Sequence, residues 1–188
     1  LIDYKYQSIF LAGMALSGST WIKNLLSQIP GYFTRHMPMP KKIAINQDIC
    51  DSAFSNIPSN GNTLFKTHLN PTKKNIDCLN RNGIKKILVS HRDLRDVSIS
   101  MYHRLLEFPK NGLPDYRVLS KEKAIDHSID LVAKDFIPWI NGWKKYSQNN
   151  KSKINFIKFE DLKNDTNFIF REILEFYKIK MDADRIDK

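Results

Sequence analysis

Residues 13–21, the most informative stretch of this chain, read Gly13-Met14-Ala15-Leu16-Ser17-Gly18-Ser19-Thr20-Trp21. An apolar run at residues 8–12 precedes it, and a helical pattern at residues 21–29 follows it. A strand, a glycine turn and a helix in this order bring main-chain N–H groups together at the positive end of the helix dipole. The stretch therefore predicts a binding site for a phosphate or a similar anion.

The spacing of this turn resembles the P-loop of nucleoside-triphosphate enzymes, G-x-x-x-x-G-K-[ST], with one change. Gly13, Gly18 and Thr20 match the pattern, whereas Ser19 stands where the loop has its lysine. That lysine contacts the β- and γ-phosphates, so its absence argues against an ordinary ATPase or GTPase. We expect the chain to hold a phosphate ester for a different chemistry.

Strand and helix patterns alternate along the rest of the chain. The alternation favours parallel strands joined by helical crossovers, and it predicts a P-loop-like α/β fold, a three-layer sandwich with a central, mostly parallel sheet. We expect one domain over residues 1–188, with irregular binding loops at 32–62 and 107–120. The predicted strands are 8–12, 63–67, 86–90 and 153–159, and the predicted helices are 21–29, 95–106, 121–146 (with a kink or break at Pro138) and 167–177.

The composition indicates a basic globular protein. The 188 residues carry a net charge of +10, which fits either a solvated basic surface or attraction of an anionic ligand. No nucleic-acid-binding motif accompanies the charge, so we expect no nucleic acid partner. No apolar run approaches the roughly 20 residues of a membrane helix, and we expect no membrane association. The two cysteines are isolated, which favours reduced thiols in the cytoplasm and gives no metal-binding spacing.

Two further segments carry residues suited to chemistry. Arg92 follows the third predicted strand, and Ser100 lies about two helical turns later, so both are candidates for binding one phosphate. Lys66 and His68 lie at the end of the second predicted strand. Histidine titrates near neutral pH, which makes His68 a candidate general base.

Taken in order, these segments resemble the sulfotransferase family that uses 3′-phosphoadenosine 5′-phosphosulfate (PAPS). The resemblance covers about residues 8–180 and rests on four motifs. Residues 15–21 (A-L-S-G-S-T-W) are similar to the family's P-K-S-G-[ST]-T-W, and residues 66–70 (K-T-H-L-N) to its K-T-H-L-P. Residues 92–103 resemble R-[ND]-P-[KR]-D-x-x-x-S-x-Y-H, and residues 159–176 contain counterparts of Y-E-D-[ML] and R-E-I…F.

The resemblance implies sulfuryl transfer from PAPS, with PAP as the second product, to a hydroxyl or amine of a small-molecule acceptor and without a metal. It implies that His68 takes the proton from the acceptor and that Lys66 stabilises charge on the transferring group. It also implies a set of cofactor contacts: Ser17, Gly18, Ser19, Thr20 and Trp21 at the 5′-phosphosulfate, Arg92 and Ser100 at the 3′-phosphate, and Trp21 and Phe159 near the adenine.

Leu16 is the largest departure from the family pattern, which has lysine or arginine there. Three explanations stay open: Lys66 or Lys23 supplies the missing cation, the chain is an impaired or purely binding member, or the residue was changed deliberately. A second departure is that no segment matches the family's closing R-K-G-x-x-G-x-W, so we expect the domain to lack this loop. The alternatives to an active sulfotransferase are an impaired member that binds PAPS or PAP, and a P-loop nucleotide kinase.

The acceptor itself is not readable from the sequence. We expect it to contact residues 32–57 and 102–116, which mix aromatic side chains and methionine with lysine and arginine. The oligomeric state is likewise not predicted.

Overall fold

The computed structural model describes residues 7–37, 47–55, 57 and 61–181. Within these residues five strands form one parallel sheet. The strands are β1 (Ser8–Gly13), β2 (Tyr32–Arg35), β3 (Asn62–Thr67), β4 (Ile87–His91) and β5 (Ile154–Lys158), and their order across the sheet is β2-β3-β1-β4-β5.

The central strand β1 is buried on both faces of the sheet. Phe10 and Ala12 pack into one hydrophobic core, and Ile9 and Leu11 pack into the other. This alternation with a period of two follows from strand geometry, and the nearly continuous apolar run is typical of strands that are covered on both sides.

Helices cover both faces. The core that contains Phe10 is closed by α2 (Lys73–Arg81), α3 (Leu94–Glu107) and α4 (Lys121–Gln148). The core that contains Ile9 is closed by α1 (Ser19–Leu26), α5 (Phe159–Asn164) and α6 (Thr166–Tyr177). These three layers confirm the predicted fold class. No helix in the described part of the chain is apolar over enough residues to span a bilayer.

Three local predictions are wrong. Residues 32–35 form the edge strand β2 and not a loop; most of this strand is exposed, so it lacks a buried pattern. The last strand ends at Lys158, and Phe159 begins helix α5. Of the kink or break predicted at Pro138, the break is absent, because helix α4 continues through this residue. Phe136, Trp139 and Trp143 are buried in the core that contains Phe10, and this packing offsets the lost backbone bond.

The topology places the chemistry at one edge of the sheet. Since all strand pairs are parallel, the carboxyl ends of β1, β3, β4 and β5 lie along the same edge. The segments that follow these ends are the glycine turn, His68, Arg92 and Phe159. Ligands of open parallel sheets bind at this edge.

Candidate active site

The turn after β1 is shaped by two residues in the left-handed region. Leu16 has φ 63° and Gly18 has φ 72°. A Cβ atom on Gly18 would lie 2.5 Å from the ring of Phe159, so only glycine allows both this backbone conformation and this contact. The turn and the start of α5 are therefore packed directly together.

The turn leaves main-chain donors unpaired at the start of α1. The first hydrogen bond of the helix runs from the Ile22 amide to the Gly18 carbonyl, at 3.1 Å. The amides of Ser19, Thr20 and Trp21 precede this bond and have no acceptor within the helix. These N–H groups lie at the positive end of the helix dipole, which is the arrangement of donors expected of an anion site.

The serines of the turn have different surroundings. The hydroxyl of Ser17 is buried and lies 2.7 Å from the Met14 carbonyl, 3.2 Å from the Ser90 carbonyl and 3.0 Å from the Ser90 hydroxyl. Ser17 therefore joins the turn to β4, and only its main-chain amide remains for a ligand. Ser19 is buried against Gly13, where an added Cβ would lie 2.3 Å from the Cβ of Ser19.

His68 follows β3 and is held in one tautomer. Its Nδ1 lies 2.6 Å from the carbonyl oxygen of Gly13. A carbonyl only accepts hydrogen bonds, so Nδ1 carries the proton and Nε2 is the basic nitrogen. Burial lowers the pKa of His68, and the nearby charges of Lys66 and Lys110 lower it further. The imidazole is therefore neutral at pH 7 and able to accept a proton.

Lys66 lies two residues before His68 and is half-buried. Burial lowers the pKa of its ammonium group, and the charge of Lys23 on α1 adds to this effect. The structure thus brings the two candidate catalytic residues of the β3 end close to the turn, with a second cation nearby.

Arg92 follows β4 and lies over an aromatic ring. Its guanidinium carbon is 4.6 Å from the ring centroid of Phe159, and its Nη1 donates to the Ser100 hydroxyl at 3.2 Å. Asp96 lies 3.6 Å from Nη2, while Nε is buried and has no hydrogen-bond partner among the described residues. A buried donor without an acceptor costs free energy, so this group fits an anionic ligand. The Trp21 side chain is 39% exposed, and its ring lies edge-on to the ring of Phe159, with 6.4 Å between the ring centroids.

A cavity of about 610 Å³ joins the turn to His68. Its volume lies in the range of small-molecule sites. One part of its wall is the turn, with Ala15, Leu16, Gly18, Ser19 and Thr20, and the remainder consists of Gln47, Lys66, His68, Met101, Arg104 and Lys110. Gln47 belongs to the first range predicted to contact an acceptor, 32–57, and Arg104 and Lys110 belong to the second, 102–116. Residues 38–46 and 56 of the first range lie outside the described residues.

Two supports of His68 have no local sequence signal. The Gln47 side chain accepts hydrogen bonds from the Thr67 hydroxyl at 2.6 Å and from the His68 amide at 2.9 Å. The indoles of Trp139 and Trp143 both donate to the Leu69 carbonyl, at 2.8 and 3.2 Å. Each contact joins distant parts of the chain, so only the three-dimensional fold reveals it. The described residues contain no group of three or more His, Cys, Asp or Glu placed to hold a metal.

Comparisons with known proteins identify the family and the fold. The sulfotransferase domain family matches residues 7–188. Among solved structures, the fold is similar to mouse sulfotransferase SULT7A1 complexed with PAP, with 22% identity and a TM-score of 0.72 over 98% of this chain. The chain spans 62% of the length of that protein. It is also similar to a sulfotransferase from Alicyclobacillus acidocaldarius, with 15% identity and a TM-score of 0.57 over 97% of this chain and 88% of that one. A sequence search of curated proteins finds no match.

Proposed function

Because the chain belongs to the sulfotransferase domain family, we propose that it transfers a sulfuryl group from PAPS to a hydroxyl or amine of a small-molecule acceptor. The observation that carries the proposal is His68, whose Nδ1 is fixed on the Gly13 carbonyl and whose basic nitrogen is Nε2. It shares a cavity with Lys66 and with the anion-binding turn. A base, a cation and an anion site are the groups that this reaction needs.

The residues present fit PAPS. The unpaired amides at the start of α1 suit its 5′-phosphosulfate, and we assign the Ser17 amide, Gly18, Ser19, Thr20 and Trp21 to that group. Arg92, with its unpartnered buried Nε, and Ser100 suit the 3′-phosphate. Trp21 and Phe159 offer aromatic surfaces for the adenine. PAP, the nucleotide bound to the mouse relative, contains this 3′-phosphate.

His68 acts as the general base in this proposal. When bound, PAPS supplies the sulfuryl group: the acceptor oxygen or nitrogen forms a bond to sulfur while the bond from sulfur to the 5′-phosphate oxygen breaks, and the electron pair leaves with PAP. His68 Nε2 accepts the proton that the acceptor loses. Lys66 stabilises the negative charge that develops around the transferring group.

Leu16 lines the same cavity and stands where the family has a lysine or arginine, so the turn lacks the cation of that side chain. We propose that Lys66, with Lys23 beside it, supplies part of this charge and that the natural chain turns over slowly. Replacing Leu16 by lysine should raise kcat by about 10²–10³, the usual effect of one donor at a developing anion. Leu16→Met, which has similar length and no charge, serves as the control. An unchanged rate with lysine favours a full substitute among the other cations or a binding protein without turnover.

Thermal unfolding with nucleotides tests the cofactor class. At 100 times its Kd, PAP should raise Tm by about 5–10 °C for a chain of this size, whereas ADP, which lacks the 3′-phosphate, should give a smaller shift. Arg92→Gln should remove the preference for PAP over ADP. A shift with ATP and Mg²⁺ alone would instead favour a nucleotide kinase, and the absence of any shift would count against both enzymes.

A cytoplasmic location is a further part of the proposal. What supports it is that neither described cysteine forms a disulfide: Cys50 is exposed and Cys78 is buried. Free thiols are typical of reducing compartments.

A further inference from the structure

The cavity wall beside His68 is more basic than sulfuryl transfer requires. Apart from the turn, this wall carries Lys66, Arg104 and Lys110, and none of its described residues is acidic. Lys66 already lies where the transferring group would be stabilised. Arg104, on the last turns of α3, and Lys110, just beyond that helix, are additional cations on the part of the wall that is left for the acceptor.

These two cations have no carboxylate partner among the described residues. Other arginines nearby do: Arg95 lies 2.6 Å from Asp93, and Arg117 lies 2.6 Å from Asp115. The charge of Lys110 is also felt at His68, whose pKa it lowers. Like charges gathered around one cavity without counter-charges repel one another, and a bound anion would relieve this repulsion.

Both cations are exposed, and Arg104 has an aromatic ring beside it. The Arg104 guanidinium lies 5.2 Å from the centroid of the Phe108 ring. The loop that carries Lys110 is anchored farther along by Tyr116, which is buried and whose hydroxyl lies 2.8 Å from His127 Nδ1 and 3.1 Å from the Ser128 hydroxyl. Both side chains line the cavity and are open to solvent, so a ligand in the cavity can reach them.

We propose that the acceptor is itself an anion, a molecule whose carboxylate or other oxyanion binds Arg104 and Lys110 while its hydroxyl or amine lies at His68. This inference rests on the proposed sulfuryl transfer. The guanidinium suits a bidentate contact with the oxyanion, and Lys110 adds a second charge. Met101, buried in the same wall, offers an apolar contact for the body of the acceptor.

A matched pair of phenols tests the inference: 3-(4-hydroxyphenyl)propanoate and its methyl amide, which differ in charge at the end remote from the phenol. We expect the carboxylate to have a kcat/KM at least about tenfold higher, the effect of one charge-assisted hydrogen bond. Arg104→Gln and Lys110→Gln should each lower kcat/KM for the carboxylate and leave the amide within about twofold. Lys145→Gln, on an exposed part of α4 outside the cavity wall, should change neither.

Binding separates this inference from the proposed function. The affinity of both phenols for the protein saturated with PAP is measured by calorimetry, which requires no turnover. A preference for the carboxylate that Arg104→Gln abolishes supports the anionic acceptor even if neither phenol is sulfated, a result that would count against the proposed function alone. Equal affinities and equal rates for the two phenols overturn the inference. So does an equal loss with both phenols in Arg104→Gln, because the cation would then serve the sulfuryl group.

Discussion

The Gly13 carbonyl determines what His68 can do. Its oxygen accepts the hydrogen bond from Nδ1–H and so sets the tautomer. Because Gly13 ends β1, this bond also joins His68 to the strand that leads into the glycine turn. The motifs around Lys66, His68 and Arg92 were readable from the sequence because strand ends and residue types coincide there. Gln47, Arg104 and Lys110 fall within the ranges expected to contact an acceptor, but no local motif marks them individually, because only tertiary contact brings them to the cavity.

Replacing His68 by asparagine should lower kcat by about 10²–10⁴. The asparagine amide retains a donor close to the position of Nδ1, so the contact with Gly13 can persist while the base is lost. The affinity for PAP, measured by calorimetry, should stay within about twofold. Added imidazole should restore part of the activity to His68→Ala. A His68→Asn variant with nearly full activity would exclude His68 as the base.

Helix α4 packs against the segment that follows His68. Its two buried indoles converge on one carbonyl, that of Leu69, and Gly142 approaches Pro71 so closely that an added Cβ would lie 2.7 Å from the proline ring. The helix thus fixes the segment directly after His68. The sequence predicted this helix from its apolar periodicity. It did not reveal α2, whose nine residues are mostly polar, or β2, whose stability depends on pairing with β3 and not on its own pattern.

The end of helix α6 offers a test of local strain. Lys178 adopts φ 57° after the last turn, and the Ile179 amide donates back to the Leu174 carbonyl at 2.8 Å, an arrangement that glycine favours. Lys178→Gly should raise the free energy of unfolding by about 1 kcal/mol, because the left-handed conformation is strained by about this much for a residue with a Cβ atom. The expected rise in Tm is about 2–4 °C.

Lys180→Gly is the matched control for this prediction. Lys180 is also exposed but does not have a positive φ, so glycine there should not raise Tm. If the Tm of Lys178→Gly is equal to or below that of the natural chain, backbone strain at Lys178 does not lower the stability of the fold.

At the scale of the whole molecule, burial of two histidines links stability to pH. Burial is the largest cause that lowers the pKa of His68 and of His91. In the unfolded chain both titrate near pH 6.5, so below that pH the unfolded state binds more protons than the folded one. The contribution of these two histidines to the free energy of unfolding is therefore fully present above about pH 6.5. It is lost as the pH falls toward their lowered pKa values in the folded chain.

Unfolding in urea between pH 5 and pH 8 checks this dependence. The free energy of unfolding should be level above about pH 7 and decline below about pH 6.5. His91→Gln should reduce the decline, because it removes one of the two histidines whose pKa is lowered in the folded chain. A decline of the same size in His91→Gln would assign the acid sensitivity to other groups.

The hydrogen bonds between the turn and β4 have a consequence for the choice of nucleotide. The Met14 amide donates to the Ser90 carbonyl at 2.8 Å, and the Ser17 hydroxyl contacts the same residue, so the turn cannot shift relative to the strand that leads to Arg92. If the turn and Arg92 each bind a phosphate, as proposed, a nucleotide whose phosphates stand at another separation would contact only one of them at a time. We therefore expect the protein to select its nucleotide by length as well as by charge.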